Sequence, residues 1–150
     1  MTKIAINGFG RIGRLFFRYV YGKSGFDVVA INDLGDLENL AYLLQYDTVY
    51  GKFEKDVKAQ SGSLLVGGKK VAVFQEKDPS LLPWGKLGID IVVEATGAFE
   101  SYEKAGVHLK AGAKRVVITA PASALFQGRP PAFLFFLLRG TIMQYDKDSD

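Results

Sequence analysis

Lys3-Ile4-Ala5-Ile6-Asn7-Gly8-Phe9-Gly10-Arg11-Ile12-Gly13-Arg14-Leu15-Phe16 is the stretch whose reading decides the fold. Lys3 to Asn7 reads as a short buried strand, and three glycines follow it within six residues, from Gly8 to Gly13. Ile12, Leu15, Phe16, Tyr19 and Val20 then recur at helical spacing up to Gly22. Val28 to Asn32 is a second strand, and Leu37, Leu40, Ala41 and Leu44 mark a second amphipathic helix. Strand, helix, strand, helix is the order of a parallel sheet.

Further out the pattern changes. Leu64-Leu65-Val66 and Val71-Ala72-Val73 flank Gly67-Gly68 and two lysines, which predicts an antiparallel hairpin. Asp78-Pro79 predicts a helix start, with Asp78 as the cap and Pro79 in the first turn. Ile89 to Glu94 reads as another buried strand. Ser101 is the expected cap of a helix running to about Ala111, with Gly112 just past its end. Arg115 to Thr119 is one more strand. After Pro121 the pattern weakens. Ala132 to Leu138 is the densest apolar run and an expected buried strand, and the polar tail Tyr145 to Asp150 is expected to be exposed.

The glycines carry the strongest chemical signal. Gly8 permits a tight turn out of the first strand. Gly10 lets the backbone approach a pyrophosphate, and Gly13 lets the helix pack on the strand. The helix N-terminus then presents unpaired N–H groups and a partial positive charge, with the Arg11 and Ile12 amides as the expected donors. Glycines at this spacing are weak evidence alone, but here they lie between a strand and a helix, as the mechanism requires. Asp33 ends the second strand, 33 − 13 = 20 residues after the last glycine, where a carboxylate accepts from an adenosine ribose. The expected fold class is therefore α/β, Rossmann-type: a mostly parallel sheet with helices on both faces and an antiparallel hairpin insertion. Thr96-Gly97 and Thr119 also stand at strand ends, where ligands bind in open α/β sheets. His108 and Trp84 read as packing residues, and no catalytic or metal-ligating residue is assigned.

Composition narrows the classes. The chain has 150 residues, a length that fits one domain, here residues 1–150. Its net charge of +3 is spread along the chain without a run of like charges, which argues against a nucleic-acid or membrane arm. With no cysteine, disulfides, thiolate metal sites and a cysteine nucleophile are excluded within these residues. No apolar stretch approaches the roughly 20 residues that a membrane helix needs.

Ile6-Asn7-Gly8-Phe9-Gly10-Arg11-Ile12-Gly13-Arg14 resembles the glyceraldehyde-3-phosphate dehydrogenase family beyond the generic glycine pattern. Asn32-Asp33-Leu34, Tyr46-Asp47-Thr48-Val49-Tyr50-Gly51, Lys77-Asp78-Pro79, Trp84-Gly85, Glu94-Ala95-Thr96-Gly97 and Ile118-Thr119-Ala120-Pro121 resemble it in the same order, so the likeness covers residues 1 to 121. It implies the NAD-binding domain of a phosphorylating, cytoplasmic, glycolytic aldehyde dehydrogenase that works as a homotetramer. Position by position, Asn7, Gly8, Gly10, Arg11, Ile12 and Gly13 would hold the NAD pyrophosphate. Asp33 would bind the ribose, Lys77 would lie along the adenine, and Thr96, Gly97, Phe99 and Thr119 would line the path to the nicotinamide.

Two departures qualify the likeness. Ser123 to Gln144 fits the family poorly, so the domain is atypical from about residue 123, and Tyr145-Asp146-Lys147 looks familial again. The catalytic domain of the family, with its cysteine nucleophile and its aldehyde substrate site, is expected to lie outside this chain. Two alternatives stand beside this reading: a stand-alone NAD-binding module without catalysis, and a related erythrose-4-phosphate dehydrogenase.

Overall fold

The computed structural model describes residues 1–99, 101–119 and 143–146. The opening strand β1 (Thr2–Asn7) leads through the glycine loop into α1 (Arg11–Val20), and β2 (Phe26–Asn32) leads into α2 (Leu37–Gln45). A small two-stranded ribbon follows, β3 (Tyr46–Asp47) against β4 (Gly51–Lys52). Then come β5 (Val57–Gln60), β6 (Ser63–Val66) and β7 (Lys69–Phe74). A 3-10 turn (Pro79–Leu81) and α3 (Trp84–Leu87) lead to β8 (Ile91–Glu94). The chain continues through α4 (Tyr102–Ala105), α5 (Val107–Lys110), β9 (Arg115–Ile118) and β10 (Met143–Asp146).

These strands form one eight-stranded sheet in the order β10-β9-β8-β1-β2-β7-β6-β5. The five central strands, β9 to β7, are parallel. The edges are antiparallel: β10 on one side, and the β5-β6-β7 meander on the other. Successive side chains of a strand point to opposite faces, and β1 shows the consequence. Ile4 and Ile6 pack with Phe17 and Val20 of α1 and Leu40 and Leu44 of α2. Ala5 faces the other way, into a cluster with Leu82, Trp84, Ile89, Val92 and Ala113. Strands covered on both faces read as continuous apolar runs, which is why Ile4-Ala5-Ile6 and Ile91-Val92-Val93 lack polar alternation. The Rossmann-type reading of the sequence is borne out.

Several local expectations are corrected. The helix expected from Ser101 to about Ala111 is two short helices, α4 and α5, broken at Gly106. A helix-interior glycine costs roughly 1 kcal/mol relative to alanine, and the break turns His108 fully inward. Ser101 does act as a cap, its Oγ accepting from Lys104 N at 3.2 Å. Asp78 caps only one 3-10 turn, through Ser80 N at 2.9 Å, because Pro83 interrupts the segment before α3 begins. The sheet strand starts at Ile91 rather than Ile89, whose side chain is buried in the Trp84 cluster. Tyr145 and Asp146, read as part of a polar tail, are strand residues paired with Val116 and Arg115 of β9. The expected strand at Ala132–Leu138 lies outside the described residues. The β5 strand went unread in the sequence: Val57-Lys58-Ala59-Gln60 alternates apolar and polar, but over only 4 residues, and lysine and alanine are poor strand formers.

Candidate functional site

The cleft opens where the carboxyl ends of β1, β2 and β8 meet. β1 is flanked by β2 on one side and by β8, a much later strand, on the other, so the chain reverses its direction of winding there. Open α/β sheets bind ligands at such a point. A cleft of about 440 Å³ lies there, walled by Asn7, Gly8 and Gly10 from the loop after β1 and by Asn32, Asp33 and Leu34 from the end of β2. Glu76, Lys77 and Pro79 close one side, and Ala95, Thr96, Ala98 and Phe99 close the other.

The three glycines act in three different ways. Gly8 has φ +91°, and a Cβ there would sit 2.6 Å from Thr96 N, so the β8 turn packs directly on the loop backbone. A Cβ on Gly13 would sit 2.1 Å from Gly8 O, which fixes how closely α1 approaches the loop. A Cβ on Gly10 would meet nothing within 4 Å. That position is required for neither the turn nor the packing, and it borders open space in the cleft. Gly10 also caps α1, whose first turn has no side-chain cap and no acidic residue. No side chain of that first turn offsets the partial positive charge of the helix end.

Asp33 is held ready at the end of β2. One carboxylate oxygen accepts from Phe9 N at 2.6 Å and the other from Gly35 N at 2.8 Å. Each oxygen has a second lone pair still available to a ligand hydroxyl.

Below the cleft lies a buried polar network. Asn7, Asn32, Glu94 and His108 are each under 5% exposed. Asn7 Oδ1 accepts from Asn32 Nδ2 at 2.8 Å, and Asn32 Oδ1 accepts from Glu76 N at 2.8 Å. Asn7 Nδ2 donates to Glu94 Oε2 at 2.6 Å. The other Glu94 oxygen accepts from Thr96 N at 2.8 Å and from Thr96 Oγ1 at 2.5 Å. Thr96 Oγ1 accepts in turn from Ala98 N at 3.0 Å. Buried polar groups are costly unless paired, and here the pairing ties the ends of three strands to the turn that walls the cleft.

Of the twelve residues singled out in the sequence, seven stand in the cleft wall: Asn7, Gly8, Gly10, Asp33, Lys77, Thr96 and Phe99. Five do not. Gly13 is buried behind the loop, while Arg11 and Ile12 are exposed at the start of α1. Gly97 holds a positive φ of 74° in the Thr96 turn. Thr119 turns its hydroxyl back to Glu94 O at 3.1 Å. The cleft also includes Asn32 and Glu76, which sequence reasoning passed over. An asparagine ending the apolar run Val28 to Ile31, directly before Asp33, was the available signal. Among the described residues no group of histidine, cysteine, aspartate and glutamate could hold a metal ion.

The comparisons with known proteins agree with this geometry. The sequence profile of the family described as "Glyceraldehyde 3-phosphate dehydrogenase, NAD binding domain" matches residues 2–102. The chain is similar to the glyceraldehyde-3-phosphate dehydrogenase of Clostridium pasteurianum, 56% identical over 122 residues, which covers 81% of this chain and 36% of that protein. The Thermotoga maritima enzyme is 56% identical over 124 residues, covering 81% and 37%. Glyceraldehyde-3-phosphate dehydrogenase 1 of Kluyveromyces marxianus is 54% identical over 123 residues, covering 81% and 37%. The chain thus spans little more than a third of the length of the relatives it matches. With the glycine loop, the strand-end carboxylate and the sheet order all in place, the chain belongs to the family of glyceraldehyde 3-phosphate dehydrogenase NAD-binding domains.

Proposed function

We propose that the chain is the cofactor-binding part of a phosphorylating, NAD-dependent aldehyde dehydrogenase. In that reaction glyceraldehyde 3-phosphate, phosphate and NAD give 1,3-bisphosphoglycerate and NADH. The observation that carries the proposal is the open space at Gly10, beside the uncapped start of α1 and within the Asp33-lined cleft. NAD supplies the hydride acceptor when bound. The residues present fit it: the glycine loop and the start of α1 would take the pyrophosphate, and Asp33 would take the ribose hydroxyls. Lys77 and Leu34 would flank the adenine end, and the Thr96 turn with Phe99 would shape the opposite end. The cysteine nucleophile of that reaction would have to come from outside these residues, since the chain has no cysteine.

Isothermal titration with NAD tests the reading. Saturable binding that competes with ADP-ribose is expected, and a folded chain that binds neither would defeat it. The same reading makes the complete protein a cytoplasmic homotetramer. No described helix is long and apolar enough to cross a membrane. Tyr42, Val49 and Tyr50 stand more than 60% exposed, apolar surface that a second copy of the protein would cover. Sedimentation of the complete protein as a monomer would remove that part of the proposal.

A further inference from the structure

The network below the cleft contains two groups that the cofactor reading leaves without a role, His108 and Trp84. Both are fully buried. Trp84 Nε1 lies 3.1 Å from His108 Nδ1. An indole nitrogen can only donate, so His108 Nδ1 must accept and carries no proton. The single proton of the neutral ring is then on Nε2, which lies 2.8 Å from Glu94 Oε2 and donates to it. Asn7 Nδ2, 3.3 Å from the same nitrogen, is also a donor to Glu94, so those two nitrogens flank the carboxylate oxygen rather than bond to each other. Phe99 closes over the imidazole edge-on, with ring centroids 6.3 Å apart.

Glu94 therefore accepts from four donors: Asn7, His108, and the amide and hydroxyl of Thr96. Four donors satisfy the lone pairs of an ionised carboxylate. Three of them come from Asn7 and Thr96, which both line the cleft. His108 completes the set from below, and its orientation is decided by Trp84. Among the described residues the groups that reach its nitrogens are Trp84, Asn7 and Glu94.

We propose that Trp84 and His108 are positioning residues of the cofactor cleft: the indole N–H locks the imidazole as its Nε2–H tautomer, and that proton holds Glu94 where it fixes Asn7 and the Thr96 turn. This rests on the NAD-binding reading, and its test separates the two. Long-range proton–nitrogen NMR of the imidazole reads the tautomer without any ligand. A single neutral Nε2–H form is expected, and an Nδ1–H or cationic ring overturns the proposal. Trp84→Phe removes the lock while keeping an aromatic ring. It is expected to leave Nδ1 without its donor, so that the ring is no longer confined to the single neutral Nε2–H form, and to lower NAD affinity several-fold, up to about tenfold.

His108→Leu, which leaves one Glu94 oxygen short of a donor, is expected to lose about tenfold or more in NAD affinity. His108→Gln restores an N–H toward Glu94 and is expected to recover most of the loss. Packing alone would not order the two variants this way, since leucine keeps the apolar contacts. Glutamine no better than leucine in folded variants, or unchanged affinity in both, overturns the proposal. Where the leucine variant does not fold, Trp84→Phe and the tautomer measurement decide. Wild-type chain with the Nε2–H ring that fails to bind NAD defeats the cofactor reading and leaves the lock standing.

Discussion

At the scale of single residues the glycines separate binding from folding. Gly10→Val should keep the fold, because a Cβ there meets nothing within 4 Å, yet lower NAD affinity at least roughly tenfold, about 1.4 kcal/mol. Gly13→Ala should do the reverse. Alanine gains up to about 1 kcal/mol over glycine inside a helix, but its Cβ would lie 2.1 Å from Gly8 O. Overpacking of that kind costs about 1–3 kcal/mol, so the urea midpoint should fall. Asp33 sets a second test, preference for NAD over NADP. A 2′-phosphate about 4 Å away would be repelled by about 1 kcal/mol in water and ~4 at an effective dielectric near 20. Neither Leu34 nor Gly35 beside it supplies a cation. Asp33→Gly should narrow the gap between the two affinities, and equal wild-type affinities would disprove the role. The glycines and Asp33 were legible in the sequence because their spacing states a backbone requirement. Glu94, His108 and Trp84 were not, because a network joining residues 7, 84, 94 and 108 leaves no local pattern.

At the scale of elements, the start of β8 is fastened at its amino end. Asp90 accepts from Lys3 N at 2.8 Å and from Lys114 Nζ at 2.7 Å, bridging β1 and the loop before β9. Its carboxyl is held below the usual range, first by the Lys114 hydrogen bond and then by the Lys3 amide. A depressed folded value stabilises the protein above the unfolded value of about 3.9, and the contribution disappears as pH falls through the folded value. The Asp78 and Asp47 carboxyls are lowered too, the first by Ser80 and the second by the Tyr50 and Val49 amides. Stability should therefore decline below about pH 4, and Asp90→Asn should flatten part of that decline. Because Asp90 is solvent-accessible, the loss at neutral pH should stay near 1 kcal/mol or below. Urea unfolding between pH 7 and pH 3 would show it, and an unchanged acid limb would refute it. The long apolar strands and the two helices were readable from periodicity, although α1 buries Gly13, Phe17 and Val20 and leaves Ile12 and Tyr19 of the expected stripe exposed. The α4–α5 break was not, because one glycine does not by itself end a helical pattern, and Glu94, the group that His108 meets inside, is distant in sequence.

At the scale of the whole molecule, the strand order gathers the groups that line the cleft, and the described residues place no nucleophile beside a free base. Oxidising an aldehyde through an acyl intermediate needs a nucleophile and an adjacent base within hydrogen-bond reach. The chain has no cysteine. Thr119 has its hydroxyl on Glu94 O, and Thr96 has its own on Glu94 Oε1. The sole histidine is fully buried with both ring nitrogens engaged, by Trp84 and by Glu94. Among the described residues neither hydroxyl has a free base beside it, and the one imidazole cannot reach a substrate without dismantling the network below the cleft. Removing nucleophile and base from a catalytic unit leaves only binding and positioning. The 150-residue chain should bind NAD and still give no sustained NADH absorbance with glyceraldehyde 3-phosphate and phosphate. The preparation must be free of host dehydrogenase, which could form mixed oligomers with it. Turnover that persists in such a preparation, and that disappears in Gly10→Val, would show that this domain carries a catalytic group that neither its sequence nor its cleft reveals.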